Sequence, residues 1–288
     1  MATGCKKENN GRVGIVAENM RSDSKIVIDL ENINSATWLA GEYIDVNGTP
    51  HVIRQDAEGF YLSGINETGS VVAIYPGNGT DGNDVVVSNN EVVIKRLTIN
   101  RTSPNYYEEV VFPMVATAST VGDQLLFKHI TAGLKLTLVN RTSSPMELAS
   151  VKIVAQSTNP LQNLTVDGVT ARWAVQGPAL PPGQVGERED DYSAANACEM
   201  NFDFATTYSD YGYAEPTKSS TTVSSVTIWN SGGWFSFCVP ITVSSLRYLT
   251  VIGYDPNGTQ LFCKTKDLGE EMTLSSNNMY IIPNIEIY

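Results

Sequence analysis

Apolar and polar residues alternate along most of this chain, with a period of two. Leu134, Leu136 and Leu138 are separated by Lys135 and Thr137. Successive side chains of a strand point to opposite faces, so this spacing predicts a strand with one face in a core. The same pattern predicts strands at 25–30, 59–62, 71–75, 85–87, 92–99 and 107–112. After a polar link at 119–123 it resumes at 125–127, 134–139, 151–155, 169–175, 202–207, 223–229, 234–240, 248–254, 260–265 and 279–287. Asn47-Gly48 marks a tight hairpin turn. Gly, Asn and Pro fill the other gaps, and no long helical period appears. Short strands at this spacing indicate sandwiches or barrels, not alternating strand–helix units.

Composition agrees. Only 17% of the 288 residues are charged, and Thr, Ser, Asn and Val are plentiful, which suits sheets better than helices. The net charge of −12 repels phosphate backbones, so no nucleic-acid partner is expected. No run of about 18 apolar residues is present to cross a membrane as a helix. The stretch 176–196 carries three prolines, three glycines and an acidic run, and is expected to be a surface loop.

The stretch 112–164 organises the chain. One strand ends at Phe112-Pro113-Met114-Val115, and after the polar link LLFKHITAGLKLTL opens the next unit, followed by SVKI. This sequence resembles the fimbrillin-like pilin subunits of Bacteroidetes, the FimA and Mfa families. The resemblance implies an all-β chain of two tandem transthyretin-like β-sandwich domains, here 21–121 and 122–288. The start of the chain fits: Ala2-Thr3-Gly4-Cys5 resembles the lipobox of bacterial lipoproteins. Cys5 is then the lipidation residue and 1–20 a lipoprotein tether to the outer membrane. A short echo, VVIKRLTINRTSP against GLKLTLVNRTSSP, is what similar turns in two similar domains would produce.

Candidate chemistry is sparse. His51 and His129 are the only histidines, and neither sits in a nucleophile motif. His129 is read as strand packing, and no enzyme activity, cofactor or metal is expected. The loop 77–84, GNGTDGND, lacks the closing glutamate of a calcium loop and is read as a hairpin loop. The acidic run 187–191 is read as solvated loop. Cys198, Cys238 and Cys263 show no zinc spacing. They read as inert buried thiols, with a Cys238–Cys263 disulfide left open. Trp173 is in phase with Val169 and Ala171 and faces a core. Trp229 and Trp234 flank a turn, where at least one can be exposed. Tyr208, Tyr211 and Tyr213 form a loop-like cluster and are the candidate exposed contact surface.

The last residues, MYIIPNIEIY, read as an apolar strand that must pair with its own sheet or a neighbour's. In the resembled families a C-terminal segment fills a groove opened when the first strand is cut away after an arginine. The resemblance therefore implies a donor strand carrying Ile281, Ile282, Ile285 and Ile287, with Arg21 and Arg54 as candidate processing residues. The expected function is a fimbrial subunit or accessory protein that assembles head-to-tail at the cell surface. Its expected partners are other subunits, the lipid anchor, and a host protein or glycan. The alternative is a surface glycan-binding lipoprotein of a nutrient-uptake system.

Overall fold

The structure, a computed structural model, describes residues 12–18, 21–22, 38, 40–65, 69–78, 84–88, 90–103, 106–109, 112–119, 124–176, 196–206, 222–223 and 225–288. Among them the chain is all-β. It opens in an eight-stranded sheet with β1 (Val13–Ala17) and leaves for β2 (Arg21–Ser22). It returns for β3 (Tyr43–Val46), β4 (Thr49–Val52), β5 (Arg54–Asp56), β6 (Gly59–Leu62) and β7 (Val71–Tyr75). A second excursion makes β8 (Asp84–Ser88), β9 (Glu91–Ser103) and β10 (Tyr106–Glu109). The chain then completes the first sheet with β11 (Met114–Ala118) and β12 (Gln124–His129).

All later strands lie in the other sheets. They are β13 (Ala132–Asn140), β14 (Met146–Leu148), β15 (Ser150–Gln156), β16 (Thr165–Val166), β17 (Val169–Trp173), β18 (Val175–Gln176) and β19 (Ala197–Thr206). After them come β20 (Thr222–Val223), β21 (Val226–Ile228), β22 (Gly233–Ile241), β23 (Ser245–Tyr254), β24 (Gln260–Thr273), β25 (Asn278–Ile281) and β26 (Ile285–Ile287).

The first sheet runs β4-β3-β7-β11-β12-β1-β6-β5. The second runs β16-β17-β9-β19-β15-β23-β24, with β8 and β10 on β9 and β18 and β20 on β19. The third runs β2-β25-β13-β22, with β26 also on β13, and β14 pairs β21 as a separate ribbon.

Two cores result. Val13, Ile15, Trp38, Ile44, Val46, Leu62, Leu125 and Phe127 fill the first. Inner faces of the second and third sheets share the other, including Leu134, Leu136, Leu138, Val151, Ile153, Trp173, Phe202 and Phe237. The leucine alternation of β13 is realised: its three leucines are fully buried while Lys135 and Thr137 are half-buried on the other face. Thr137 and Ser236 share a 2.7 Å hydrogen bond on that outer face. In β9 the apolar phase slips. Val92 and Ile94 are buried, Lys95 and Arg96 are both exposed, and Leu97 and Ile99 are buried again. The pairing with β8 jumps there, from Val85↔Ile94 to Asp84↔Arg96, so a bulge re-phases the strand.

The expected domain borders are crossed in three places. Val13–Ala17, counted with the tether, is a core strand because Val13 and Ile15 are buried. The strands from Asp84 to Glu109, counted with the first sandwich, belong to the second sheet, where β9 lies parallel between β17 and β19. β12, counted with the second sandwich, belongs to the first sheet, and the crossing comes at Ile130-Thr131. The link at 119–123 is no border because it joins β11 to its antiparallel neighbour β12 in the same sheet, whereas the long parallel pairings of β9 leave no local mark in the sequence. The echo is likewise not one of two domains, since β9 and β13 both serve the second core. The sheets also meet directly: Ile74 and Val115, from β7 and β11, pack into the second core. Lys128 pairs Asp167 at 3.6 Å, and Thr117 donates to the same carboxylate at 3.4 Å.

Candidate assembly site

The strand with most bearing on assembly is β1. It is parallel to β12 (Gly14↔Gln124 to Ala17↔Phe127) and antiparallel to β6 (Val13↔Leu62, Gly14↔Tyr61). Within the sheet, β6 and β12 meet only through β1. Val13 and Ile15 point into the core, whereas Val16 and Leu126, a direct cross-strand pair, are exposed. Removing β1 would uncover Leu62, Leu125 and Phe127 and open two strand edges. A clamp fixes its start. Arg12 donates to both carboxylate oxygens of Asp56, one at 2.9 Å, lies 3.3 Å from Glu58, and sits 4.2 Å over the Tyr61 ring. The Arg12 hydrogen bonds, followed by the Glu58 amide, hold the Asp56 carboxyl below its ordinary range. At the other end Glu18 N–H donates to Phe127 C=O at 2.7 Å.

The chain then reaches β2, where Arg21 and Ser22 pair in parallel with Asn278 and Met279 of β25. The candidate processing residue thus lies beside the candidate donor strand. β25 and β26 run parallel to β13, from Gly133↔Met279 to Asn140↔Ile287. Ile282 N–H donates to Lys135 C=O at 3.0 Å across the break at Pro283-Asn284, and Arg141 N–H donates to Ile287 C=O at 2.7 Å. Ile282, Ile285 and Ile287 are buried in the second core, so in the single chain they complete its own sheet. Ile281 differs. It pairs Lys135 and shares that residue's outer face, because the break after Ile282 shifts the alternation. Among the described residues β26 pairs β13 alone.

Arg54 is exposed on β5, the edge of the first sheet, paired with Tyr61. Cys5, Tyr208, Tyr211 and Tyr213 lie outside the described residues, as do most of 77–84 and nearly all of 176–196. His129 is buried, with its ring edge-on to Phe112 at 5.9 Å and no hydrogen bond to Nδ1. Burial lowers its pKa to about 4, so it is neutral at pH 7. Cys198 is buried as expected, whereas Cys238 and Cys263 are half-buried, and no disulfide joins those two. Burial pushes Cys198 up to about 12, which makes it inert. Among the described residues no three His, Cys, Asp or Glu side chains gather to hold a metal, and no helix is long and apolar enough to cross a membrane.

One feature of the site leaves no local mark in the sequence. The Arg12 clamp joins residues 44 apart, beyond any local pattern. At the far end of β13 Trp229 and Trp234 are both exposed, in line with the Asn-Ser-Gly-Gly turn between them; Gly233 and Ile287 pair Asn140 from either side, so Tyr288 follows at the same end of the sheet.

No family model matches the chain, and no curated protein matches it. Solved structures do, and three of them are each called a "putative cell adhesion protein". The one from Bacteroides ovatus has 10% identity and a TM-score of 0.40, covering 95% of this chain and 91% of its own. The one from Bacteroides uniformis has 14% identity and a TM-score of 0.34, covering 97% and 93%. The one from Bacteroides fragilis has 10% identity and a TM-score of 0.39, covering 94% and 91%. At that level of likeness, function has to be argued from the chain's own residues.

Proposed function

We propose that this chain is a structural fimbrial subunit or accessory protein that assembles by donor-strand exchange at the bacterial outer surface and supports adhesion. One observation carries the reading. β1, the first described strand, lies inside a sheet as the sole link between β6 and β12, and the chain runs from it directly to Arg21. A cut after Arg21 would free β1 and leave a groove lined by Leu62, Leu125 and Phe127. The apolar C-terminal strand of a second copy would fill it, with backbone hydrogen bonds giving affinity and alternate isoleucines giving fit. Such a contact joins unlike surfaces, so it propagates as a filament. Lipidation at Cys5, a tether before β1 and two transthyretin-like sandwiches belong to the same proposal. So does the absence of a catalytic role.

Limited digestion with a trypsin-like protease is the test, followed by gel electrophoresis and negative stain. A ladder of oligomers is expected. Deleting 281–288 would also disturb the second core, so a lock on β1 is the sharper control. Val16→Cys with Leu126→Cys places two thiols on directly paired, outward positions. The oxidised variant should be cut yet stay monomeric, and reduction should restore the ladder. Polymerisation with the lock closed, or cut wild-type monomers that never associate, would overturn the proposal.

A further inference from the structure

The end of β13 remote from the 130–131 crossing carries a second arrangement. Three aromatic side chains stand out of the surface there: Trp229 at 66% exposure, Trp234 at 69% and Tyr288 at 76%. The remaining tryptophans, Trp38 and Trp173, are buried. Exposed aromatics gathered at one end serve neither core and mark a contact surface.

The frame beneath them is rigid. Asn140, fully buried, donates from Nδ2 to Ile228 C=O and Ser144 C=O, both at 2.9 Å. Its Oδ1 accepts from Thr142 N–H at 2.9 Å and Thr142 Oγ1 at 2.7 Å. Gly232 N–H donates to Asn140 C=O at 2.7 Å, and Asn230 Nδ2 donates to Ser143 C=O at 2.9 Å. Gly233 is packed so closely that a Cβ there would lie 2.2 Å from Trp229 O. Trp229 and Trp234 therefore arise side by side from a turn with little freedom. Arg141 joins the turn to the C-terminal strand: a Cβ on Gly232 would lie 3.2 Å from one guanidinium nitrogen, and another reaches Glu286 at 2.9 Å. Tyr288 hydroxyl donates to Glu286, and Lys264 Nζ lies 5.9 Å from the Tyr288 ring centroid. Lys266 is near enough to help hold Glu286 ionised. Arg141 and Lys266 thus act on Glu286, and Lys264 lies over the neighbouring Tyr288 ring, in a chain of net charge −12.

We propose that this rim, formed by Trp229, Trp234, Tyr288, Arg141, Lys264 and Lys266, binds an anionic saccharide: sugar rings bearing carboxylate or sulfate groups. Indole faces supply apolar platforms for the C–H faces of pyranose rings. The guanidinium offers paired donors to a carboxylate, and the lysines add long-range attraction. Asn140, the Asn230 amide and the Gly232 N–H are spent on the frame, which leaves the exposed ring faces and the cations to meet a ligand. Because the frame is already ordered, binding loses little freedom. The inference deepens the adhesion side of the proposed function by naming a ligand class, and rests on it only for surface display.

The test uses the uncut chain, so failed polymerisation does not touch it. Tryptophan fluorescence is followed while oligogalacturonate or heparin oligosaccharide is added, with maltooligosaccharide as the neutral control. Saturable quenching by an acidic oligosaccharide is expected, at least about ten-fold tighter than the neutral one and weakened by salt. Trp234→Ala and Lys266→Glu lie on exposed or half-exposed positions, and each should weaken binding about ten-fold with an unchanged unfolding midpoint. No saturable response, equal response to neutral sugar, or indifference to both substitutions would overturn the site. So would concentration-dependent self-association in sedimentation that Trp234→Ala abolishes, since the rim would then be a subunit contact.

Discussion

At the scale of single residues, His129 makes the sharpest statement. Its folded pKa of about 4 lies below the 6.5 of an unfolded histidine, because burial disfavours the imidazolium. The unfolded chain binds the extra proton first. The stability tied to neutral His129 is therefore complete above pH 6.5 and declines as pH falls toward 4. Full loss amounts to roughly 3 kcal/mol. Urea unfolding at pH 7 and pH 4.5 should show this decline, and His129→Phe should flatten it. An unchanged slope would place the acid sensitivity in other groups. The sequence showed this residue as strand packing, which it is; its missing Nδ1 partner depends on the packing of Phe112 and was invisible there.

At the scale of elements, turn chemistry was the most legible feature. Asn47-Gly48 was read as a hairpin, and β3 and β4 join there with Val46 opposite Thr49. Both turn residues have positive φ, 49° and 81°. Asp167-Gly168 repeats the geometry between β16 and β17, again at 49° and 81°. A Cβ at Gly168 meets nothing within 4 Å, so any penalty at that position is one of backbone conformation. Gly168→Ala should lower stability by about 1 kcal/mol, measured as a shift of the urea midpoint at constant slope. A larger loss would mean the turn also anchors Asp167, which holds Lys128 and Thr117 across the two cores. The isoleucine alternation of the C-terminal strand was legible, but the outward turn of Ile281 was not, because it follows from register with Lys135. β1 was missed because five residues containing a glycine resemble a tether until β6 and β12 flank them.

At the scale of the molecule, the question is whether the two cores are separable. A boundary at 121/122 would divide a chain of two independent sandwiches without harm. Here it would remove β12 from the first sheet, breaking the link between β1 and β11. It would also remove β9 from between β17 and β19, stripping Val92, Ile94, Leu97 and Ile99 from the second core. Each of these side chains is worth about 1.5–3 kcal/mol when buried, a sum comparable with a domain's whole stability of about 5–15 kcal/mol. The fragments 1–121 and 122–288 should therefore fail to unfold cooperatively when made alone. Mixed, they should recover part of the native near-UV signal, because the missing strands are restored in trans. The intact chain should unfold in one transition, since strands of the first sheet send Ile74 and Val115 into the second core and the Asp167 contacts bridge the two. A cooperative transition from 122–288 alone would show that the second core stands without β9, making the interlock a docking of finished domains. The same logic limits what assembly can exchange. β1 can be drawn out because it lies near the start of the described chain, whereas β9 is held at both ends by connections to the first sheet and cannot leave without opening the second core.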